Sequence, residues 1–203
     1  MQPQDFYCRV PRLLSPADYA AGAQELGVTV AHIATVAEVE SRGAGYLTDG
    51  RPKILYEAHI FSRLTGHRFD ASHLQVSSKA WNRSLYRGGA GEYDRLAEAM
   101  SLDENAALQS ASWGCFQIMG MNHQACGFPT VQDFVRAHVV GGEPAHLAAL
   151  CSFLKSTGLV KPLAARDWAT FARGYNGPAQ VPTYGGRLAA AFAKHSAAQG
   201  RPA

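Results

Sequence analysis

Glu40 and Glu57 are the two side chains with the most chemical promise in this sequence. Glu40 ends an apolar helix, after Val36, Ala37 and Val39, and Glu57 ends a strand, Lys53-Ile54-Leu55-Tyr56. A carboxyl group among apolar neighbours is poorly solvated and keeps its proton to higher pH. Set against a second, ionised carboxylate, it could cleave a glycosidic bond. One group protonates the leaving oxygen, and the other activates water or stabilises developing positive charge. Taken singly, neither residue is distinctive. Glu40 reads equally as a solvated glutamate at a helix end, and Glu57 as a first-turn glutamate favoured by the helix dipole. Glu38 is a second acid on the same stretch and is assigned to the exposed face. His59 can orient the Glu57 carboxylate or simply fill the core.

These residues need elements to hold them. Residues 1–14 read as a loose lead-in. Ser15-Pro16 opens a helix that Gly27 closes, and Thr29 caps a second helix carrying Val30, Ile33, Ala34 and Ala37 on one face as far as Glu40. Tyr46-Leu47-Thr48 and Lys53-Ile54-Leu55-Tyr56 flank Asp49-Gly50, a hairpin-turn dipeptide. A helix from Ala58 to Thr65 follows, stopped by Gly66. Residues 67–91 are polar and turn-rich, with Trp81 and Tyr86 positioned to line a groove. The remainder reads as helices: Glu92 to Met100, one capped by a Ser101/Glu104 box, one capped by Thr130, Glu143 to Ser156, Arg166 to Arg173, and Gly186 to Ala198. The predicted class is α+β, dominated by α-helix.

Two further clusters carry polar chemistry. Ser110 to Gly120 reads as a small-residue turn feeding a short apolar helix. Within it, Gly114 permits close backbone approach, and Gln117 offers both donor and acceptor to sugar hydroxyl or acetamide groups. Phe171 to Pro178 reads as a helix breaking at Gly177-Pro178, where Tyr175 can touch a carboxyl and Asn176 can bind a sugar. Each is equally readable as an ordinary helix end.

Bulk properties restrict the field. The 203 residues are 47% hydrophobic and 17% charged, enough for one domain with a real core. A net charge of +3 suits an anionic polymer but is too weak, without basic runs, to argue for nucleic acid. No apolar stretch reaches the ~18 residues of a membrane span, and the amino terminus has no signal-peptide architecture. Synthesis and folding in a cytoplasm are therefore expected. Cys8, Cys115, Cys126 and Cys151 form no CxxC pair and read as buried thiols.

The elements Glu40-Ser41, Ser112-Trp113-Gly114 through Gln117-Ile118, and Tyr175-Asn176-Gly177 follow the order seen in the lysozyme-like superfamily, which includes goose-type lysozymes and lytic transglycosylases. The segments Val36–Leu47, Asp49–Phe61, Ala111–Gly120 and Asp167–Pro178 most closely resemble the phage-endolysin N-acetylmuramidase family, over a match from about Ser15 to about Ala193. This resemblance implies one lysozyme-like domain over residues 15–203, with a small β-hairpin beside the cleft. It implies a glycoside hydrolase that cuts the β-1,4 bond between N-acetylmuramic acid and N-acetylglucosamine. Glu40 falls on the general acid and Glu57 on the second carboxylate. Ser41, Tyr46, His59, Ser112, Trp113, Gly114, Gln117, Tyr175 and Asn176 are the expected substrate contacts, with Trp113, Tyr46 and Tyr56 as stacking candidates. The implied partner is the glycan strand of bacterial peptidoglycan. No cofactor, metal, nucleic acid or membrane insertion is expected, and the chain is expected to be a monomer. It would wait in the host cytoplasm until released to the wall, through a holin or another export route.

Three rivals are distinguishable. A lytic transglycosylase needs one catalytic glutamate, closes a 1,6-anhydro ring and has no use for Glu57. A non-catalytic wall-binding module needs neither carboxylate. A zinc amidase needs a ligand set, and the sequence has no HExxH. His123 near Cys126, with His32, His59, His67 and His73, does not form a convincing one.

Overall fold

The computed structural model describes residues 1–41, 44–177 and 181–199. Among them are ten α-helices and a three-stranded antiparallel sheet, a lysozyme-like α+β arrangement dominated by helix. Helix α1 (Pro16–Leu26) starts where Ser15 and Asp18 cap each other reciprocally and ends at Gly27, whose φ of 65° is left-handed. Helix α2 (Val30–Ser41) buries Ile33, Val36, Ala37 and Val39. It is clasped by α1 and by α10 (Val181–Gln199), and α10 also packs on α9 (Trp168–Asn176). Helices α6 (Val131–Val140) and α7 (Gly142–Ser156) pair with each other, and α7 also meets α1.

The expected turn at Asp49-Gly50 is present: Tyr46 and Pro52 form an antiparallel bridge, with Leu47 N–H donating to the Arg51 carbonyl and Lys53 N–H to the Gly45 carbonyl, both at 2.8 Å. The regular sheet lies beside it. Strand β1 (Ile54–Tyr56) pairs with β2 (Ala111–Trp113), which pairs with β3 (Ile118–Met119). At the end of β1 the Tyr56 N–H donates to Glu92 Oε2 at 3.2 Å and its carbonyl accepts from Arg95 Nη1 at 2.9 Å. Both acceptor and donor come from α4 (Gly91–Leu102), so a side-chain ion pair satisfies this backbone.

The expected helix after Ser110 is corrected: residues 111–119 form the β2–β3 hairpin. Gly114 has a φ of 71°, and a Cβ there would lie 2.6 Å from the His146 ring, so the turn admits no larger residue. Gln117 is also left-handed, at φ 48°. Its amide holds that conformation by donating to the Gly114 carbonyl at 2.9 Å and the Lys53 carbonyl at 3.2 Å.

Smaller corrections follow from capping. Asp103, not Ser101, caps α5 (Glu104–Gln109), accepting from Ala106 N–H at 3.0 Å. Ser101 lies inside α4 and donates to the Glu98 carbonyl. A short α8 (Val160–Ala165) was not anticipated. The first residues are not loose. Phe6, at the end of a 3-10 turn, is buried and stacks on Trp113 with centroids 5.9 Å apart. Glu143 then ties the following segment down, accepting from Leu14 N–H at 2.9 Å and Gly45 N–H at 2.6 Å.

Candidate active site

Glu40 sits in the last turn of α2, where the apolar run that built the helix also strips its carboxyl of water. Burial raises its pKa to about 7, opposed by one hydrogen bond from Asn176 and by the nearby Arg187 charge. The Asn176 Nδ2 donates to Glu40 Oε1 at 3.3 Å. Arg187, on α10, donates to the Val39 carbonyl at 2.7 Å, satisfying one of the acceptors that the end of α2 leaves open. Glu38 faces away, paired with Lys194 and His195 at 2.8 Å each, which holds it below the usual carboxylate range.

Glu57 occupies the junction of β1 and α3 (Ala58–Leu64), at the N-cap position. Its carbonyl starts the helix, accepting from Ile60 and Phe61, while its side chain makes no capping bond. The carboxylate turns instead to Tyr86, whose hydroxyl lies 2.8 Å from both carboxyl oxygens. His59 Nδ1 approaches Oε2 at 3.3 Å. Burial raises the Glu57 pKa, while the Tyr86 bond, His59 and Arg95 oppose that rise and Glu92 adds to it.

Glu57, His59, Ile60, Trp81, Met119, Asn176 and Gly177 line one groove of about 500 Å³. Asn176 thus lines the groove together with Glu57 and donates to Glu40, which does not itself line it. Helix α9 supplies Asn176, with Asp167 capping the helix start through Thr170 N–H and Gly177 ending it at φ 87°.

The other expected contacts divide. His59 and Asn176 lie in the groove. Trp113 is fully buried, with its indole N–H donating to the Leu108 carbonyl at 3.2 Å, and it offers no face to a sugar. Tyr46 and Tyr56 are buried too, their hydroxyls donating to the carbonyls of His138 and Val76. All three stacking candidates are therefore core residues. Ser112 donates to Gln117 Oε1 at 2.8 Å, and with its amide donors also engaged, Gln117 braces the sheet. Gly114 serves the same turn. Tyr175 donates to the Phe116 carbonyl at 2.7 Å and stacks on Phe171, rather than bonding the Glu40 carboxyl. The Ser41 side chain lies outside the described residues, as do Arg42 and Gly43.

Sequence reasoning placed Trp81 and Tyr86 over a groove but missed the Tyr86 bond to Glu57, along with Arg187 and the Glu92–Arg95 pair. The signal available was an aromatic pair in an otherwise polar, turn-rich stretch. Among the described residues, no group of three or more His, Cys, Asp or Glu is placed to hold a metal ion. Among them too, no helix is long and apolar enough to cross a membrane.

A mostly helical domain with a three-stranded sheet, one desolvated carboxyl group lining a groove and a second bonded to an asparagine of that lining, fits a lysozyme-like glycoside hydrolase. The chain belongs to the N-acetylmuramidase family, a family of peptidoglycan hydrolases, whose description it matches over residues 29–196. Among solved structures it is similar to the Burkholderia AP3 phage endolysin, seen in a crystal structure. Identity is 40%, the match covers 95% of this chain and 74% of that one, and the TM-score is 0.82. A search of curated proteins finds no match.

Proposed function

We propose that the protein hydrolyses the β-1,4 bond between N-acetylmuramic acid and N-acetylglucosamine, with Glu40 as general acid and Glu57 as general base. One observation carries this reading: Asn176, which lines the groove with Glu57, donates to Glu40, and although burial raises both carboxyl pKa values, Glu57 has the Tyr86, His59 and Arg95 contacts opposing that rise. Glu40 accepts a single amide hydrogen bond, and its pKa of about 7 keeps a proton available near neutral pH. Glu57 accepts from a phenol at both oxygens, with an imidazole close by, and these contacts favour the carboxylate.

In the proposed step, Glu40 gives its proton to the glycosidic oxygen as the C1–O bond breaks. A water adds to C1 and passes its proton to Glu57, leaving a new reducing end. Asn176, donating to Oε1, leaves Oε2 of Glu40 to carry the proton. Expected substrate contacts are His59 and Asn176 in the groove, with Ser41 next to the general acid.

The test is product analysis on purified peptidoglycan with the wild type, Glu40→Gln and Glu57→Gln. Reducing muramic ends are expected from the wild type. Each variant should lose at least about a hundredfold in rate. Full activity in folded Glu40→Gln would overturn the assignment. A product lighter by one water would assign the cut to the sugar's own 6-hydroxyl and remove Glu57 from the role of base.

A further inference from the structure

We infer that Trp81 has two tasks in the groove: its ring face is the platform on which a sugar of the glycan strand stacks, and its indole N–H, through the Tyr86 hydroxyl, holds Glu57 as a carboxylate. The inference rests on the hydrolytic reading above and extends it to residues outside the expected site.

The first task follows from elimination and exposure. The aromatic residues that stack in the core, Trp113, Tyr46 and Tyr56, are buried, whereas Trp81 is 56% exposed and lines the groove beside Glu57. The exposed indole is held in place by a hydrogen bond and a ring contact. Its Nε1–H donates to the Tyr86 hydroxyl at 2.7 Å, and the two rings meet edge to face at 6.3 Å. A rigid aromatic side chain loses little entropy when a ring stacks on it.

The second task follows from donor arithmetic. Indole nitrogen only donates, so the Tyr86 oxygen must be the acceptor in that bond. The single phenolic proton is then left for Glu57, whose two oxygens lie 2.8 Å away. The chain from Trp81 to Tyr86 to Glu57 therefore runs one way, and its last acceptor is best satisfied ionised. Burial and the Glu57 charge together push the Tyr86 hydroxyl far above its ordinary range, so it stays a donor.

The anchor beneath is rigid. The 87–88 turn after Tyr86 is bound through its two backbone N–H groups to Glu92 Oε1, at 2.7 and 2.9 Å, and Glu92 pairs with Arg95. The charged or titratable groups acting on Glu57 are thus Tyr86, His59, Arg95 and Glu92, with Glu40 beyond Asn176. Tyr86 is a positioning residue; Trp81 would touch substrate.

Three variants separate the tasks. Trp81→Phe keeps a ring face and loses the donor. Tyr86→Phe keeps Trp81 and loses the bond to Glu57. Trp81→Ala loses both functions. Binding of soluble, peptide-free glycan fragments is measured on the inactive Glu40→Gln background, and the pH profile of kcat/KM on the active one. Expected for Trp81→Phe and Tyr86→Phe is an acid limb displaced to higher pH with little change in fragment affinity. Trp81→Ala should show the same displacement and bind roughly tenfold more weakly. Unchanged affinity in Trp81→Ala would overturn the platform, and an unmoved acid limb in both Phe variants would overturn the hydrogen-bond chain. If the wild type releases no reducing ends, it is the hydrolytic reading that fails. Fragment binding by Glu40→Gln still tests the platform in that case.

Discussion

Glu40 and Glu57 are both drawn out of water, yet their hydrogen bonds pull them apart. Glu40 has one long amide contact, so desolvation prevails and its pKa reaches about 7. With Glu40 as the proposed general acid, the expected consequence is a loss of rate as pH rises through about 7, when its proton is lost. There is a consequence for stability as well. The folded pKa lies above the unfolded one, so the folded state binds the extra proton and ionisation opposes folding as pH rises from 4.5 to about 7. Glu40→Gln has no charge to bury. Thermal denaturation at pH 8 should show the inactive variant melting above the wild type, with the difference shrinking towards pH 5. An equal or lower Tm at pH 8 would place the Glu40 carboxyl in water. At this scale the chemistry was legible for Glu40, whose preceding apolar run announced poor solvation. Tyr86 was not, because its bond to Glu57 spans a turn-rich stretch whose path no periodicity encodes.

At the level of elements, β1 is held on one side by a strand and on the other by an ion pair. Glu92 and Arg95 are both fully buried, 2.7 Å apart, and between them satisfy the Tyr56 backbone and the 87–88 turn. Removing one partner leaves an uncompensated charge in the core. Glu92→Ala is expected to cost about 3–5 kcal/mol, measured by urea denaturation. A Lys substitution of exposed Asp94 on the same helix should stay within about 0.5 kcal/mol. A loss below 1 kcal/mol in Glu92→Ala would show that the pair does not brace the sheet. The hairpin at Asp49-Gly50 was legible, since the dipeptide turns the chain and Leu47–Arg51 and Gly45–Lys53 bond across it, whereas the pairing of β1 with the distant β2 has no local signal. Helix starts were more visible, since Ser15 and Thr130 cap locally, although the cap at Asp167 was missed. The Ser101 box lost to Asp103 because α4 runs on to Leu102 and leaves Ser101 inside it.

Across the whole molecule, a column of rings joins the sheet turn to the helical layer. Tyr46, His146, His138 and Phe134 follow one another with centroid spacings of 5.2, 4.6 and 4.0 Å. His146 is held neutral by its bonds: Nε2–H donates to the His138 carbonyl at 2.8 Å and Nδ1 accepts from Cys115 N–H at 3.1 Å. Burial lowers its pKa to about 4. The unfolded chain therefore binds this proton first, and stability falls as pH drops from 6.5 towards 4, by roughly 3 kcal/mol from this residue alone. His138, with its pKa also depressed by burial, acts in the same direction. Urea midpoints measured between pH 7 and 4 should fall steeply, and the fall should be shallower in His146→Gln. A flat profile in the wild type would mean that this ring takes up its proton without disturbing the fold. None of this was readable from the sequence, because a histidine's neighbours across the core are set by packing.

The guanidinium that α10 lays over the last turn of α2 has a practical consequence. Helix α10 is a back wall for the proposed proton donor, through Arg187 on the Val39 carbonyl. A protease cut or shortened expression clone ending before that residue would slacken the seat of Glu40 even if the remaining helices held together. Loss of lytic power should then precede any visible loss of secondary structure.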